Sequence, residues 1–176
     1  MAASGDHGGR RSLAPPNLIC RPLGPDDASH VRWALYEAVA WNPERQLPPY
    51  DALIEHPELA RYHRDWGRPG DQGFLVEVSG ARAGVAFYRL FSDADHGHGY
   101  VDEATPELAV AVEPALRGRG IGSRLMTELA QRARQAGFAR LSLSVDTENP
   151  ALQLYERLGY REVARDDDGV RMVLEL

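Results

Sequence analysis

Lysine is absent. All 20 basic residues of this 176-residue chain are arginine, which excludes chemistry that needs a lysine side chain: Schiff-base catalysis, a pyridoxal-phosphate enzyme or a Walker-type phosphate loop. Cysteine is nearly absent, and Cys20 alone rules out an internal disulfide and fits a reducing compartment. Long apolar runs are missing too; the longest reach about five residues, against roughly 20 for a membrane span. A basic excess is also lacking. The formal net charge of −6 argues against nucleic acid or an anionic membrane as partner.

What is present suits a folded enzyme-sized unit. Hydrophobic residues make up 43% and charged residues 26%, and a chain of this length buries roughly 70% of its unfolded surface without a disulfide or structural metal. Met1 to Pro16 is rich in Gly, Ser, Ala and Arg and closes on Pro15-Pro16, the pattern of a disordered tail. Arg10-Arg11 is followed by only Leu18-Ile19-Cys20 before Arg21, too short for the apolar core of an export signal, so the expected location is cytoplasmic. With no repeat and no second composition regime, residues 17–176 are expected to form one domain.

Periodicity places the elements. A strand is expected over Leu18 to Leu23, then a helix with Val31, Leu35 and Val39 four apart, and short helical segments near Tyr50 to Glu55 and Glu58 to Trp66. Phe74 to Val78 and Ala83 to Leu90 read as a hairpin turning near Gly80. Ser92 to Thr105 is a polar loop. After it come a strand from Leu108 to Val112, a long helix ending at Gly137, and a half-buried strand carrying Leu141, Leu143 and Val145. Pro150 to Leu158 reads as a helix with Pro150 at its first position and Gly159 past its end. A last hairpin crosses Asp168-Gly169. The order β-α-α-β-β-β-α-β-α-β-β is that of an α+β domain.

The most informative stretch is Leu108 to Met126. An apolar strand leads through Glu113-Pro114 into Arg117-Gly118-Arg119-Gly120-Ile121-Gly122, and a helix follows with Ile121, Leu125, Leu129 and Ala133 on one stripe. Alternating glycines at a strand-to-helix turn expose backbone N–H groups beside the positive end of the helix dipole, a setting for phosphate. By themselves these glycines fit equally well a softened loop that binds nothing. A dinucleotide fingerprint fails, because Ser123 stands where the third glycine belongs and no acidic residue ends a strand about 20 residues on.

This turn resembles the acetyl-coenzyme A site of the GCN5-related N-acetyltransferases. Arg117, Gly120 and Gly122 match that family's Q/R-x-x-G-x-G/A pattern after an apolar strand, and Asn149-Pro150-Ala151, Tyr155 and Leu158-Gly159-Tyr160 resemble its second block. The likeness is strong over about Pro106 to Glu162 and rests only on element order over Leu18 to Leu90. It implies a mixed, mainly antiparallel sheet of six to seven strands flanked by about four helices, with a V-shaped splay between the two central strands. It implies direct acetyl transfer from acetyl-CoA to an amine of a small molecule, peptide or protein, or, alternatively, a module that binds acetyl-CoA without turnover. A homodimer is compatible with it, since dimers are common among similar proteins.

The resemblance also assigns residues. Val110, Ala111 and Val112 would line the pantetheine arm, and Arg117, Gly118, Arg119, Gly120, Ile121, Gly122 and Ser123 would hold the pyrophosphate. Asn149 would bond the cofactor, or serve simply as a helix cap. Tyr155 would protonate the leaving thiolate, or be an ordinary core aromatic. Glu107 shares a strand face with Ala109 and Ala111 and is the candidate base; a solvated strand-end carboxylate is the plain alternative, with Glu103 and Asp102 as rivals. Asp93, Asp95, His96 and His98 make a loose set on a glycine-rich loop without a framework, so no metal is expected and a substrate-lining role is preferred. Trp33, Trp41, Trp66, Tyr36 and Tyr62 read mainly as core of the early helices, and Cys20 as buried and inert.

Overall fold

The computed structural model describes residues 18–167 and 169–176. The tail expected at 1–16 and Asp168 of the expected last turn lie outside the described residues. Seven strands form one sheet in the order β1-β2-β3-β4-β5-β7-β6: β1 (Leu18–Pro22), β2 (Gln72–Val78), β3 (Ala81–Arg89), β4 (Glu107–Val112), β5 (Arg140–Val145), β6 (Arg161–Asp166) and β7 (Gly169–Glu175). Every neighbouring pair is antiparallel except β4 and β5, which run parallel.

Three helices follow β1: α1 (Ala28–Val39), α2 (Tyr50–Ile54) and α3 (Pro57–His63). The expected order counts two there; the loop proline Pro49 and then Pro57 start α2 and α3 as separate short helices. The β2–β3 hairpin closes through Ser79 and Gly80, both at positive φ (53° and 79°), as a two-residue turn with matching twist requires. Among the described residues no helix is long and apolar enough to cross a membrane.

α4 (Ile121–Gln135) covers one face of the sheet. Its stripe is buried as its i+4 spacing anticipates: Ile121 4%, Leu125 0%, Leu129 0% and Ala133 0% exposed, packed with Leu108, Leu141, Leu143 and Met172. Each fully buried leucine contributes about 1.5–3 kcal/mol. α5 (Ala151–Arg157) lies on the same side and brings Tyr155 into this cluster. The opposite face carries the second cluster, where Val31, Leu35, Tyr62 and Trp66 meet Leu75, Val85, Phe87 and Ala111. β5 departs from the half-buried reading. Ser142 is fully buried, because β5 lies inside the sheet and its hydroxyl side is roofed over.

Candidate active site

β4 pairs with β3 along its whole length, from Arg89↔Glu107 to Gly84↔Val112, but with β5 only at Glu107↔Ser142. That pairing includes the bond from the Ser142 N–H to the Pro106 carbonyl at 3.0 Å; beyond it the strands part. Main-chain groups alternate sides along a strand, and the Glu113 N–H donates to Ala83 O at 2.9 Å. Glu107, Ala109 and Ala111 therefore direct theirs to β3, whereas Leu108, Val110 and Val112 direct theirs toward the gap. Val110 and Val112 thus turn main-chain groups away from β3. Ala111, grouped with them in the sequence reading, does not: its amide and carbonyl are paired with β3 opposite Val85, and its buried side chain belongs to the α1 side.

The glycine turn lies at the open end of this gap. Gly118 and Gly120 adopt φ of 75° and 80°, the left-handed region that side chains disfavour, while a Cβ on either would meet nothing within 4 Å. Backbone conformation, not crowding, demands glycine there. Gly120 caps α4, so the N–H groups of Ile121, Gly122 and Ser123 open the first turn without partners in the helix, with the dipole's positive end beside them. Gly122 packs close to Leu154 of α5, where a Cβ would lie 3.3 Å from Cδ2. Arg119 is exposed and makes no ion pair among the described residues. Arg117 is instead engaged: its Nε donates to Val112 O at 3.2 Å and Nη2 lies 3.5 Å from Glu37 of α1.

Beyond β5, Asn149 caps α5, its Oδ1 accepting from the Ala151 N–H at 2.9 Å. The cap reading holds, and the side-chain amide retains two donors for another partner. Tyr155 is 7% exposed with its ring 6.0 Å from that of Tyr160. Burial alone pushes its phenol up to about 12, so it stays protonated across the working pH range.

Glu107 is not a solvated carboxylate. It is 3% exposed, Oε1 accepts from the Tyr62 hydroxyl at 2.5 Å and from the Gly99 N–H at 2.8 Å, and Oε2 is buried without a partner among the described residues. Burial raises its pKa, while the bonds from Tyr62 and Gly99 pull it back. The polar loop roofs this carboxylate. A Cβ on Gly97 would overlap the Tyr62 hydroxyl and stand 2.6 Å from Glu107 Oε2; one on Gly99 would come within 2.6 Å of Leu143 C and 2.8 Å of Ser144 N. Since those last atoms are backbone, Gly99→Ala is expected to lift the loop, lowering stability by about 1–3 kcal/mol. Thermal denaturation and faster proteolysis within 92–105 would register it; an unchanged melt and cleavage pattern would contradict it.

The rival acids are occupied elsewhere. Asp102 pairs with Arg140 at 2.5 Å and is held below the usual carboxylate range, chiefly by a hydrogen bond from the Thr105 side chain. Glu103 is exposed and accepts from the Asp93 N–H at 3.3 Å. The loop acids and histidines serve as ties: Asp93 accepts from the Tyr100 hydroxyl at 2.5 Å, Asp95 pairs with Arg61 at 3.2 Å, His96 stacks on Tyr100 at 4.4 Å, and His98 lies 3.9 Å from Glu58. Cys20 is half-buried, not buried as expected, because β1 is a sheet edge; burial still pushes its thiol up. Trp33 lies under the Arg82 guanidinium at 3.9 Å, and Trp41 lies 5.7 Å from that of Arg45. Trp66 donates to Gly24 O at 3.0 Å.

Two residues of consequence do not declare their roles in the sequence. Tyr62 reads there as a core aromatic, yet its hydroxyl reaches Glu107; the alternating Gly97 and Gly99 of the loop that crosses it are the one signal of that contact. Arg89 ends the apolar run Val85-Ala86-Phe87-Tyr88 and is fully buried against Asp71. A charge embedded in so apolar a strand is the signal there.

Comparison with known proteins gives a consistent picture. Residues 33–160 match the family model described as acetyltransferase (GNAT) family. The mycothiol acetyltransferase of Thermobifida fusca is 32% identical over a match covering 84% of this chain and 49% of that protein. That of Jonesia denitrificans is 28% identical, covering 87% and 46%. The chain spans about half the length of the curated relatives it matches. Among solved structures, the PaiA N-acetyltransferase of Thermoplasma acidophilum in complex with coenzyme A superposes with a TM-score of 0.68 at 14% identity, covering 91% of this chain and 99% of that one. A ribosomal-protein-alanine N-acetyltransferase from Brucella melitensis gives 0.62 at 25% identity, covering 90% and 99%.

Proposed function

This chain belongs to the GNAT family of acetyltransferases, and from that premise we propose that it moves an acetyl group from acetyl-CoA directly to an amine. The observation that carries the reading is the parting of β4 from β5 just before a helix-capping glycine turn. The residues suit the cosubstrate: main-chain groups of Val110 and the N–H of Val112, turned away from β3, for an amide-bearing arm, and N–H groups from Gly118 to Ser123, with Arg119, for a diphosphate; the Val112 carbonyl is already taken by Arg117. Arg117 acts through the turn, braced between Val112 and Glu37. The side-chain amide of Asn149 is the remaining contact.

When bound, acetyl-CoA supplies an acyl group activated as a thioester. Glu107 belongs to the face of α1–α3 and Tyr155 to the face of α4 and α5, so the base and the acid approach the gap from opposite sides. An amine with pKa near 10.4 is neutral in only about one molecule per thousand at pH 7. A base is therefore needed, and Oε2 of Glu107 takes the proton that leaves the nitrogen. Main-chain N–H groups of β4 stabilise the developing oxyanion. Tyr155 donates its phenolic proton to the sulfur as the carbon–sulfur bond breaks, and exchange with solvent resets both groups. Because Oε2 lies beneath Gly97, acceptor entry displaces that part of the loop.

The acceptor follows from the relatives only as a class. Their names point to mycothiol and to ribosomal-protein alanine, so the assay spans small-molecule amines and peptides with a free N-terminus. The net charge of −6 favours cationic acceptors by its field. Calorimetry with acetyl-CoA is expected to show binding, and labelled acetyl-CoA with the amine panel to show transfer. Binding without transfer to any amine would favour a non-catalytic module; no heat with acetyl-CoA or coenzyme A would end both readings.

A further inference from the structure

We propose that Tyr62 is the positioning residue for Glu107: its hydroxyl pins Oε1 and leaves Oε2 to take the proton of the acceptor amine. This rests on the reading of Glu107 as the base.

The hydrogen-bond inventory of the phenol supports the assignment. The His98 N–H donates to the Tyr62 oxygen at 3.2 Å, which occupies a lone pair and commits the single hydroxyl proton to Glu107, 2.5 Å away. The Gly99 N–H reinforces the same oxygen. Both donors thus converge on Oε1, and among the described residues Oε2 has no partner. The Tyr62 ring is itself fixed edge-on against Phe91, with centroids 5.0 Å apart, and α3 is anchored by Arg89, which donates to the carbonyls of Arg61 and Arg64 at 2.9 and 2.8 Å. A carboxylate with one pinned oxygen and one bare oxygen is aimed.

Charged and titratable groups face Glu107 from each element packed around it. From β3, Arg89 stands opposite in register, but its guanidinium is bound to Asp71 and the carbonyls of α3. From β5 comes neutral Ser142, and from the loop His96 and His98, which favour the ionised carboxylate; His98 faces Glu58. From α3 come Tyr62 and Arg61, and Arg61 is held by Asp95 and the His96 carbonyl. The Tyr62 phenol is pushed far above its ordinary range by burial first and the Glu107 charge second, so it remains a donor at every working pH. Against the desolvation of Glu107, Tyr62 is the largest opposing influence.

The experiment is the pH profile of kcat/KM for the full chain, with acetyl-CoA and an amine that it acetylates, for wild type, Tyr62→Phe and Glu107→Gln. Only ionised Glu107 accepts a proton, so the wild-type rate rises with pH through its pKa. Tyr62→Phe keeps the ring and removes the charge-assisted bond. The rising limb should move up by about one pH unit or more, with the high-pH rate recovered to within a few-fold. A uniform loss at all pH with an unmoved limb would reduce Tyr62 to packing and overturn the proposal. Glu107→Gln should abolish the limb; if the limb survives, the assignment of the base fails, a separate outcome. A measurement on the wild type alone guards against a poorly folded variant: the Tyr62 hydroxyl proton should give a far-downfield NMR resonance lost as Glu107 is protonated. A resonance that is absent, or indifferent to that titration, would equally overturn the assignment.

Discussion

Replacing Tyr155 with phenylalanine should lower kcat by about 10²- to 10⁴-fold while leaving affinity for coenzyme A within about twofold. The substitution removes one oxygen from a ring that is 7% exposed and packed beside Tyr160, so the core around α5 keeps its shape. Among the described residues the Tyr155 hydroxyl has no hydrogen-bond partner, and burial by itself accounts for its raised pKa. No structural bond is therefore lost. A phenol near 12 looks a poor acid for a thiol that ordinarily titrates around 8.5. Desolvation, however, raises both, because each acid is neutral when protonated and anionic when not; a leaving thiolate in the same dry gap is correspondingly more basic. The matched shift lets the proton move. Loss of the acid leaves an unprotonated leaving group, a deficit felt only in the transition state, so kcat and kcat/KM fall together. An unchanged kcat with tenfold weaker cofactor binding would instead make Tyr155 a binding residue.

Much of the frame is legible in the sequence because it is written in local period and punctuation. The i+4 stripe of Ile121, Leu125, Leu129 and Ala133 is determined by helix geometry, and Asn149 before Pro150 is a cap with a mechanism. Gly118 and Gly120 declare positive φ by their type. What is not legible depends on partners far along the chain. Tyr62 meets Glu107 across 45 residues, and no periodicity in α3 distinguishes a tyrosine whose hydroxyl is engaged from one that only packs. The burial of Glu107 has the same origin: a strand-start carboxylate looks solvated until a loop with two glycines folds over it. Ala111 differs from its expected role for a subtler reason. The motif marks a stretch of strand, but alternation of main-chain direction selects every second residue of it, and the selecting bond, from Glu113 to Ala83, lies in the tertiary pairing.

Arg89→Ala should destabilise the fold by about 3–5 kcal/mol, the cost of leaving a buried charge without its partner. Arg89 and Asp71 expose 0% and 1% of their side chains and are joined by two bonds at 2.5 and 2.9 Å. Truncating the arginine leaves the Asp71 carboxylate in the interior with only the Gly67 N–H at 3.1 Å and the Arg68 guanidinium, more than two-fifths exposed, at 3.8 Å, and deprives the carbonyls of Arg61 and Arg64 at the end of α3 of their donor. The double variant Arg89→Met with Asp71→Leu separates these losses. With both charges gone and the volume nearly conserved, most of the deficit should return, since a buried pair is often replaceable by apolar groups. The return should stop short of wild type by about 1–3 kcal/mol, because the α3 carbonyls stay unsatisfied. Urea denaturation of the three proteins reads the series directly. Full recovery in the double variant would mean the carbonyl bonds carry no net stability; no recovery would place the whole effect in α3. The same helix presents Tyr62 to Glu107, so partial recovery of stability should be matched by partial recovery of kcat, with the acid limb of the pH profile still displaced. A fold restored together with an undisplaced limb would show that α3 finds its place without the arginine.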